Sequence, residues 1–133
     1  KTILPKDLPN IIFDRKIIKI ILQNLTSNAI KYSPSGKKIT IDVSEDKLKE
    51  MININVSDQG YGIPVEQHSR IFEKLFRADN IKEKNIEGTG LGLYLVKIIV
   101  EKIGGIIRID SQEGIGTTFQ VSLPANKKIK NKI

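Results

Sequence analysis

Three segments of this chain alternate apolar and polar residues strictly, which fits a sheet with one core-facing side and one wet side. Ile39, Ile41 and Val43, then Ile52, Ile54 and Val56, then Phe119, Val121 and Leu123 each fall at every second position, so each set shares one face of a strand. Two longer segments carry apolar residues at helical spacing instead. The first runs from Asp14, a plausible N-cap, to about Tyr32, where Ser33-Pro34-Ser35-Gly36 stops it. The second runs from about Leu91 to Ile103 and ends at Gly104-Gly105; it is apolar on most of its surface and is expected to be well buried. Residues 10–13 read as a short strand, Lys47 to Glu50 as a hairpin connection, and Pro64 to about Phe72 as a helix with proline in its first turn. A further strand covers 106–110, and a turn with Gly114 and Gly116 leads into the last one. Residues 77–88 have no periodicity and read as a mobile loop. Strands with one apolar face need one helix layer, and these helices are too few to cover both faces as in a doubly wound fold. The expected architecture is therefore α+β: a two-layer α/β sandwich with a mixed sheet of about five strands and about three helices on one face. One domain over 1–124 and a basic tail over 125–133 are expected.

Four short stretches on this scaffold carry chemistry, and their order matters more than any one of them. NLTSNAIKY (24–32) places Asn24, Asn28 and Lys31 within an arc of roughly 60° on the first helix, beside a stripe of Ile18, Leu22, Leu25 and Ala29. An amide oxygen there suits a hard cation among water and phosphate oxygens, and a lysine can neutralise phosphate. DQGYGIP (58–64) follows a strand whose parity turns Asp58 toward the core side with Ile52, Ile54 and Val56. A carboxylate so placed needs a partner. An adenine amino group would serve; an Asp that merely initiates the turn is the plainer reading. Gly60 and Gly62 let backbone pass close to a ring, and Ile63 offers an apolar wall. IFEKLFR (71–77) spaces Phe72 and Phe76 as i, i+4, with Lys74 and Arg77 as cations at the start of the loop. In GTGLGL (88–93), Gly88, Gly90 and Gly92 alternate with Thr89, Leu91 and Leu93 just ahead of a long helix, which suggests backbone packed on phosphate at a helix N-terminus. It lacks the Lys-Ser/Thr of a P-loop and does not follow a strand as a dinucleotide fingerprint does. Thr117 shares the inward parity of Phe119.

In this order the stretches resemble the ATP-binding catalytic domain of sensor histidine kinases of two-component systems, members of the Bergerat-fold, or GHKL, group that includes heat-shock chaperone ATPases and type II topoisomerases. The resemblance runs from about Leu8 to Pro124 and ends in GIGTTFQVSLP. It implies that Asn28 binds Mg²⁺, that Lys31 meets phosphate with Asn24 and Tyr32 in support, and that Asp58 reads adenine with help from Thr117. Gly60, Gly62 and Ile63 would line the base; Phe72, Lys74, Arg77 and the block from Gly88 to Leu93 would close over the phosphates. Asn24, Lys31 and Arg77 are the catalytic candidates. Hydrolytic relatives carry a glutamate where this chain has Asn24. An amide cannot act as a base, so ATP is expected to be held for transfer rather than hydrolysed.

No phosphoacceptor segment is present. His68, the sole histidine, lacks the acceptor context and reads as a surface residue. The acceptor is expected on a separate dimerisation domain, with a response regulator receiver domain downstream. The isolated domain is expected to be a monomer and the full-length kinase a homodimer. Rival readings are an anti-sigma serine kinase of the same group, a non-catalytic nucleotide-sensing module, and a nucleic-acid binder.

Charge bears on the last. The net charge is +7, but Lys127, Lys128, Lys130 and Lys132 supply four units in a tail expected to be disordered; 7 − 4 leaves +3 over the rest. Few aromatics interleave the lysines, so no base-stacking platform is visible and nucleic acid is not an expected partner. Zero cysteines exclude disulfides and thiolate metal sites. No apolar run reaches the roughly 20 residues that span a bilayer. The piece is expected to be cytoplasmic, whatever membrane anchor a longer protein carries.

Overall fold

The computed structural model describes residues 1–6 and 13–125. Its elements are β1 (Thr2–Ile3), α1 (Arg15–Lys31), β2 (Ile39–Asp46), β3 (Met51–Asp58), a 3₁₀ turn (Val65–Gln67), α2 (Asp79–Glu83), α3 (Gly92–Lys102), β4 (Ile106–Gln112) and β5 (Gly116–Pro124). The five strands form one mixed sheet in the order β1-β2-β3-β5-β4. Only β1 with β2 is parallel; the other three pairs are antiparallel. This is the sandwich that alternation predicts. The expected strand at 10–13 lies mostly outside the described residues, and so does the basic tail beyond Ala125.

The core lies between the sheet and helices α1 and α3. Ile52, Ile54 and Val56 of β3 and Phe119, Val121 and Leu123 of β5 are all buried, as strand parity requires. From α1 the buried residues are Ile17, Ile21, Leu25 and Ala29. The stripe read from the sequence contained Ile18 and Leu22, which only pack partly against the core. Isoleucine or leucine at 17, 18, 20, 21 and 22 leaves the periodicity ambiguous by a turn of the wheel, and contact with α3 and β3 decides it. Asp14 caps α1 as expected, its carboxylate accepting from the Lys16 N–H. Each fully buried Ile, Leu or Val here contributes roughly 1.5–3 kcal/mol.

Three expectations fail in the second half of the chain. Helix α3 buries only Val96 and Val100, while Leu91, Leu95 and Ile98 stand exposed; a helix in a two-layer fold needs only one covered face. Residues 64–76 do not form a helix. After the single 3₁₀ turn, hydrogen bonds run from Arg70 to Gln67, Glu73 to Arg70 and Phe76 to Glu73, a chain of tight turns with no i to i−4 ladder. Residues 77–88, expected to be a mobile loop, contain α2, whose Asn80 and Ile81 are buried along with Ala78 at its start.

Candidate active site

A cavity of about 490 Å³ opens between α1, the sheet and the segment leading into α3, a size typical of small-molecule sites. Strand register builds its floor. Asp58 is paired directly with Thr117 across β3 and β5, and both side chains face the core side. Asp58 Oδ1 accepts from the Gly60 N–H at 2.8 Å and the Thr117 N–H at 3.3 Å. Its other oxygen takes no protein donor among the described residues. Burial pushes the Asp58 carboxyl up, and the two backbone donors partly offset this.

Helix α1 supplies one wall through Asn24, Ser27, Asn28, Lys31 and Tyr32. Asn24 donates to the Ile20 carbonyl at 2.8 Å, which fixes its amide along the helix. Tyr32 is tied to the Asp58 turn because its carbonyl accepts from the Tyr61 N–H at 2.9 Å. Its phenol is pushed up by burial, while the nearby Arg77 guanidinium pulls it down. Arg77 donates through Nη2 to the Ile86 carbonyl. Its Nε–H is buried with no partner among the described residues, a donor whose desolvation costs roughly 1–3 kcal/mol while it stays unpaired. A phosphate oxygen would satisfy it.

A metal would find no cage here. Among the described residues no group of three or more His, Cys, Asp or Glu side chains could hold one. A hard cation such as Mg²⁺ could still fit with Asn28 as a neutral oxygen ligand and phosphate and water completing its shell.

Residues 13–127 match the family model described as histidine kinase-, DNA gyrase B-, and HSP90-like ATPase. The chain belongs to that ATPase family. It is 40% identical over 111 residues to the sensor histidine kinase WalK of Bacillus subtilis, covering 84% of this chain and 18% of WalK. It is 39% identical over 125 residues to the sensor-like histidine kinase SenX3 of Mycobacterium tuberculosis, covering 94% of this chain and 30% of SenX3. The chain thus spans under a third of these curated relatives. The solved catalytic domain of histidine kinase ThkA superimposes with a TM-score of 0.76 at 28% identity, covering 93% of this chain and 78% of that one. Full-length ShkA, solved in complex with AMPPNP, gives a TM-score of 0.79 at 25% identity over 92% of this chain and 24% of ShkA. The chain carries the ATPase catalytic domain found in sensor histidine kinases, and none of its helices among the described residues is long and apolar enough to cross a membrane.

Within this ATPase domain, the cavity gathers most of the residues singled out from the sequence: Asn24, Asn28, Lys31, Tyr32, Asp58, Gly62, Ile63, Arg77, Gly88 to Leu93, and Thr117. Three are elsewhere. Phe72 packs edge-on against Phe119, ring centroids 6.3 Å apart, and belongs to the core rather than the lining. Its i, i+4 partnership with Phe76 lapses because no helix joins them; Phe76 lines the cavity alone. Lys74 is exposed in a separate shallow groove with Gln67 and Asp79. Gly60 lies under Tyr32, where a Cβ would strike the Tyr32 carbonyl oxygen. It permits helix-to-turn packing, and it is not among the residues that line the cavity.

The glycine block also has protein neighbours. A Cβ on Gly90 would lie 2.7 Å from the Leu75 carbonyl carbon, and one on Gly92 would lie 2.7 Å from Asn24 Oδ1. His68, read as a surface residue, is partly buried, with Nε2 2.9 Å from the Ile63 carbonyl oxygen; since that oxygen can only accept, Nε2 carries a proton. Sequence reasoning missed Ile71, Ala78, Ile81 and Tyr94 in the lining. Ala78 and Ile81 gave a faint signal as an i, i+3 apolar pair inside a charged stretch.

Proposed function

We propose that this chain holds Mg·ATP and presents its γ-phosphoryl group to a histidine on a separate dimerisation domain, as the catalytic half of a two-component sensor kinase. The supporting observation is the composition of one cavity: an acceptor carboxylate on its floor with one oxygen free of donors from the described residues, and Lys31 and a buried Arg77 N–H, likewise without a partner among them, on its walls. Asp58 accepts from the adenine amino group, with Thr117 beside it. Ile63 and Phe119 flank the base as apolar surface. Asn28 offers its amide oxygen to Mg²⁺, which would offset charge on the phosphates. Lys31 and Arg77 neutralise phosphate oxygens, and Tyr32 stands beside Arg77. The backbone from Gly88 to Leu93 lies along the cavity at the start of α3.

The histidine nitrogen attacks phosphorus in line, the bond to the bridging oxygen breaks, and ADP leaves with the electron pair. Catalysis is then positioning and charge neutralisation. Asn24 cannot take a proton from water, and its N–H already serves Ile20, so hydrolysis by the chain alone is slow. In a cell the phosphoryl group passes to an aspartate on a response regulator, and the full-length kinase works as a homodimer.

Calorimetric titration with Mg·ATP and Mg·GTP, repeated on Asp58→Ala, tests the base assignment. ATP should bind more tightly than GTP, and the substitution should abolish the difference. Equal binding of the two nucleotides by the unmodified chain would defeat it. Transfer is tested by adding the dimerisation domain and looking for acid-labile phosphate, since phosphoserine would survive acid.

A further inference from the structure

Ser111, behind the floor of the cavity, decides which way the Thr117 hydroxyl points. Three residues stand side by side across the sheet. Ser111 on β4 pairs with Thr117 on β5, and Thr117 pairs with Asp58 on β3. Thr117 and Asp58 line the cavity, and Ser111 does not. The Ser111 hydroxyl oxygen lies 2.8 Å from Thr117 Oγ1, 3.1 Å from the Gly116 carbonyl oxygen and 2.9 Å from the Ile63 backbone nitrogen.

Counting protons fixes the directions. A serine hydroxyl has one proton to give. The Ile63 N–H can only donate to Ser111, and the Gly116 carbonyl can only accept from it. The one assignment that satisfies all three contacts sends the Ser111 proton to Gly116. Thr117, 7% exposed, must then give its own proton to Ser111. What Thr117 has left for the cavity is lone pairs. Asp58 adds a second acceptor beside it, because its two backbone donors both fall on Oδ1.

We infer that Ser111 is a specificity-determining positioning residue: by holding the Thr117 proton it makes this end of the cavity accept hydrogen bonds and donate none from either side chain. Such a wall fits an exocyclic amino group, which brings two N–H donors, and opposes a carbonyl oxygen at the same ring position. The inference rests on the nucleotide reading above.

The probes are Mg·ATP and Mg·ITP, which carry an amino group and a carbonyl oxygen at that position. In Ser111→Ala the Thr117 proton is released and can turn toward a carbonyl. The preference for ATP over ITP, read from the two Kd values, should fall about tenfold, the scale of one hydrogen bond. A purely structural role would weaken both ligands by one factor and leave the ratio intact, which would overturn the proposal. Ser111→Thr keeps the hydroxyl and should keep the ratio. Thr117→Val removes the lone pairs and leaves the Ser111 bonds to Ile63 and Gly116 in place, so it must lower the ratio too. An unchanged ratio in Thr117→Val defeats the proposal even if Ser111→Ala fails to fold. Binding of neither nucleotide by the unmodified chain is a distinct outcome that removes the nucleotide reading itself, and this proposal with it.

Discussion

Leu75 and Gly90 meet backbone to backbone. The Leu75 N–H donates to the Gly90 carbonyl at 2.9 Å, and the Gly90 Cα leaves no room for a side chain against the Leu75 carbonyl. The contact staples the two ends of the segment that covers the cavity. Both residues have positive φ, +65° for Leu75 and +69° for Gly90, and for leucine that conformation costs roughly 1–2 kcal/mol. Gly90→Ala should therefore destabilise by about 2–3 kcal/mol, from left-handed strain and overlap together. Leu75→Gly should be neutral or mildly stabilising, since Leu75 is 63% exposed and little burial is lost. Denaturant unfolding of the two variants checks the pair. Equal losses would show that the backbone contact is not what matters.

Period-two alternation located β2, β3 and β5 because a side chain's face follows directly from strand parity. The same parity put Asp58 and Thr117 on the core side. Phe72 falls outside the lining because the helix expected from Pro64 to about Phe72, and the i, i+4 spacing carried on to Phe76, give way to successive tight turns that also leave Lys74 facing a separate groove. Glycine spacing marked the loop that lines the cavity but not the protein atoms that crowd Gly90 and Gly92, because a glycine requirement does not say what fills the space. Ser111 was invisible, since its role depends on cross-strand register and on a count of protons.

Asp58 makes stability depend on pH in a predictable direction. Its carboxyl is raised, first by burial and less the backbone donors. A raised folded value means that its contribution is fully present below the ordinary carboxylate range and is lost as pH rises through the folded value. Asp58→Asn keeps an acceptor for Gly60 and Thr117 and removes the charge. Subtracting the variant's melting temperatures from the parent's, across pH 4 to 7, should give a difference that falls with rising pH. The other carboxylates cancel in the subtraction. A flat or rising difference would contradict the assignment. The same variant should bind Mg·ATP poorly, because its free position becomes a donor.

Phe72 tests whether the core reading replaces the ligand reading. Its ring meets Phe119 at an interplanar angle of 72°, an edge-to-face contact worth about 0.5–1.5 kcal/mol beyond area burial. Phe72→Ala should cost about 2–4 kcal/mol of stability, toward the lower part of the range for buried aromatics because Phe72 is only partly covered. Nucleotide affinity of the folded fraction should change far less than in Asp58→Ala. An affinity loss as large, with stability unaltered, would return Phe72 to the binding site.

Asn80 docks α2 onto the turn that follows Asp58. Its amide donates to the Gly62 carbonyl at 2.9 Å from a buried position, and beside it Gln67 and Asp79 exchange two hydrogen bonds, at 2.7 and 3.0 Å. The amide orientation follows from the partner, because a carbonyl requires a donor. That leaves Asn80 Oδ1 buried without a partner among the described residues. Asn80→Asp turns the donor into an ionised acceptor facing the same carbonyl. At neutral pH the variant should lose about 2–3 kcal/mol, the scale of a buried group left unpaired, and trypsin should cut faster at Lys82 and Lys84. Lowering the pH should reverse both effects, because a protonated carboxyl can donate to Gly62 again. The penalty should be absent where the carboxyl is protonated and should appear as it ionises with rising pH. Cleavage rates that match the parent at pH 7 would mean that the Gln67–Asp79 pair alone holds α2 in place.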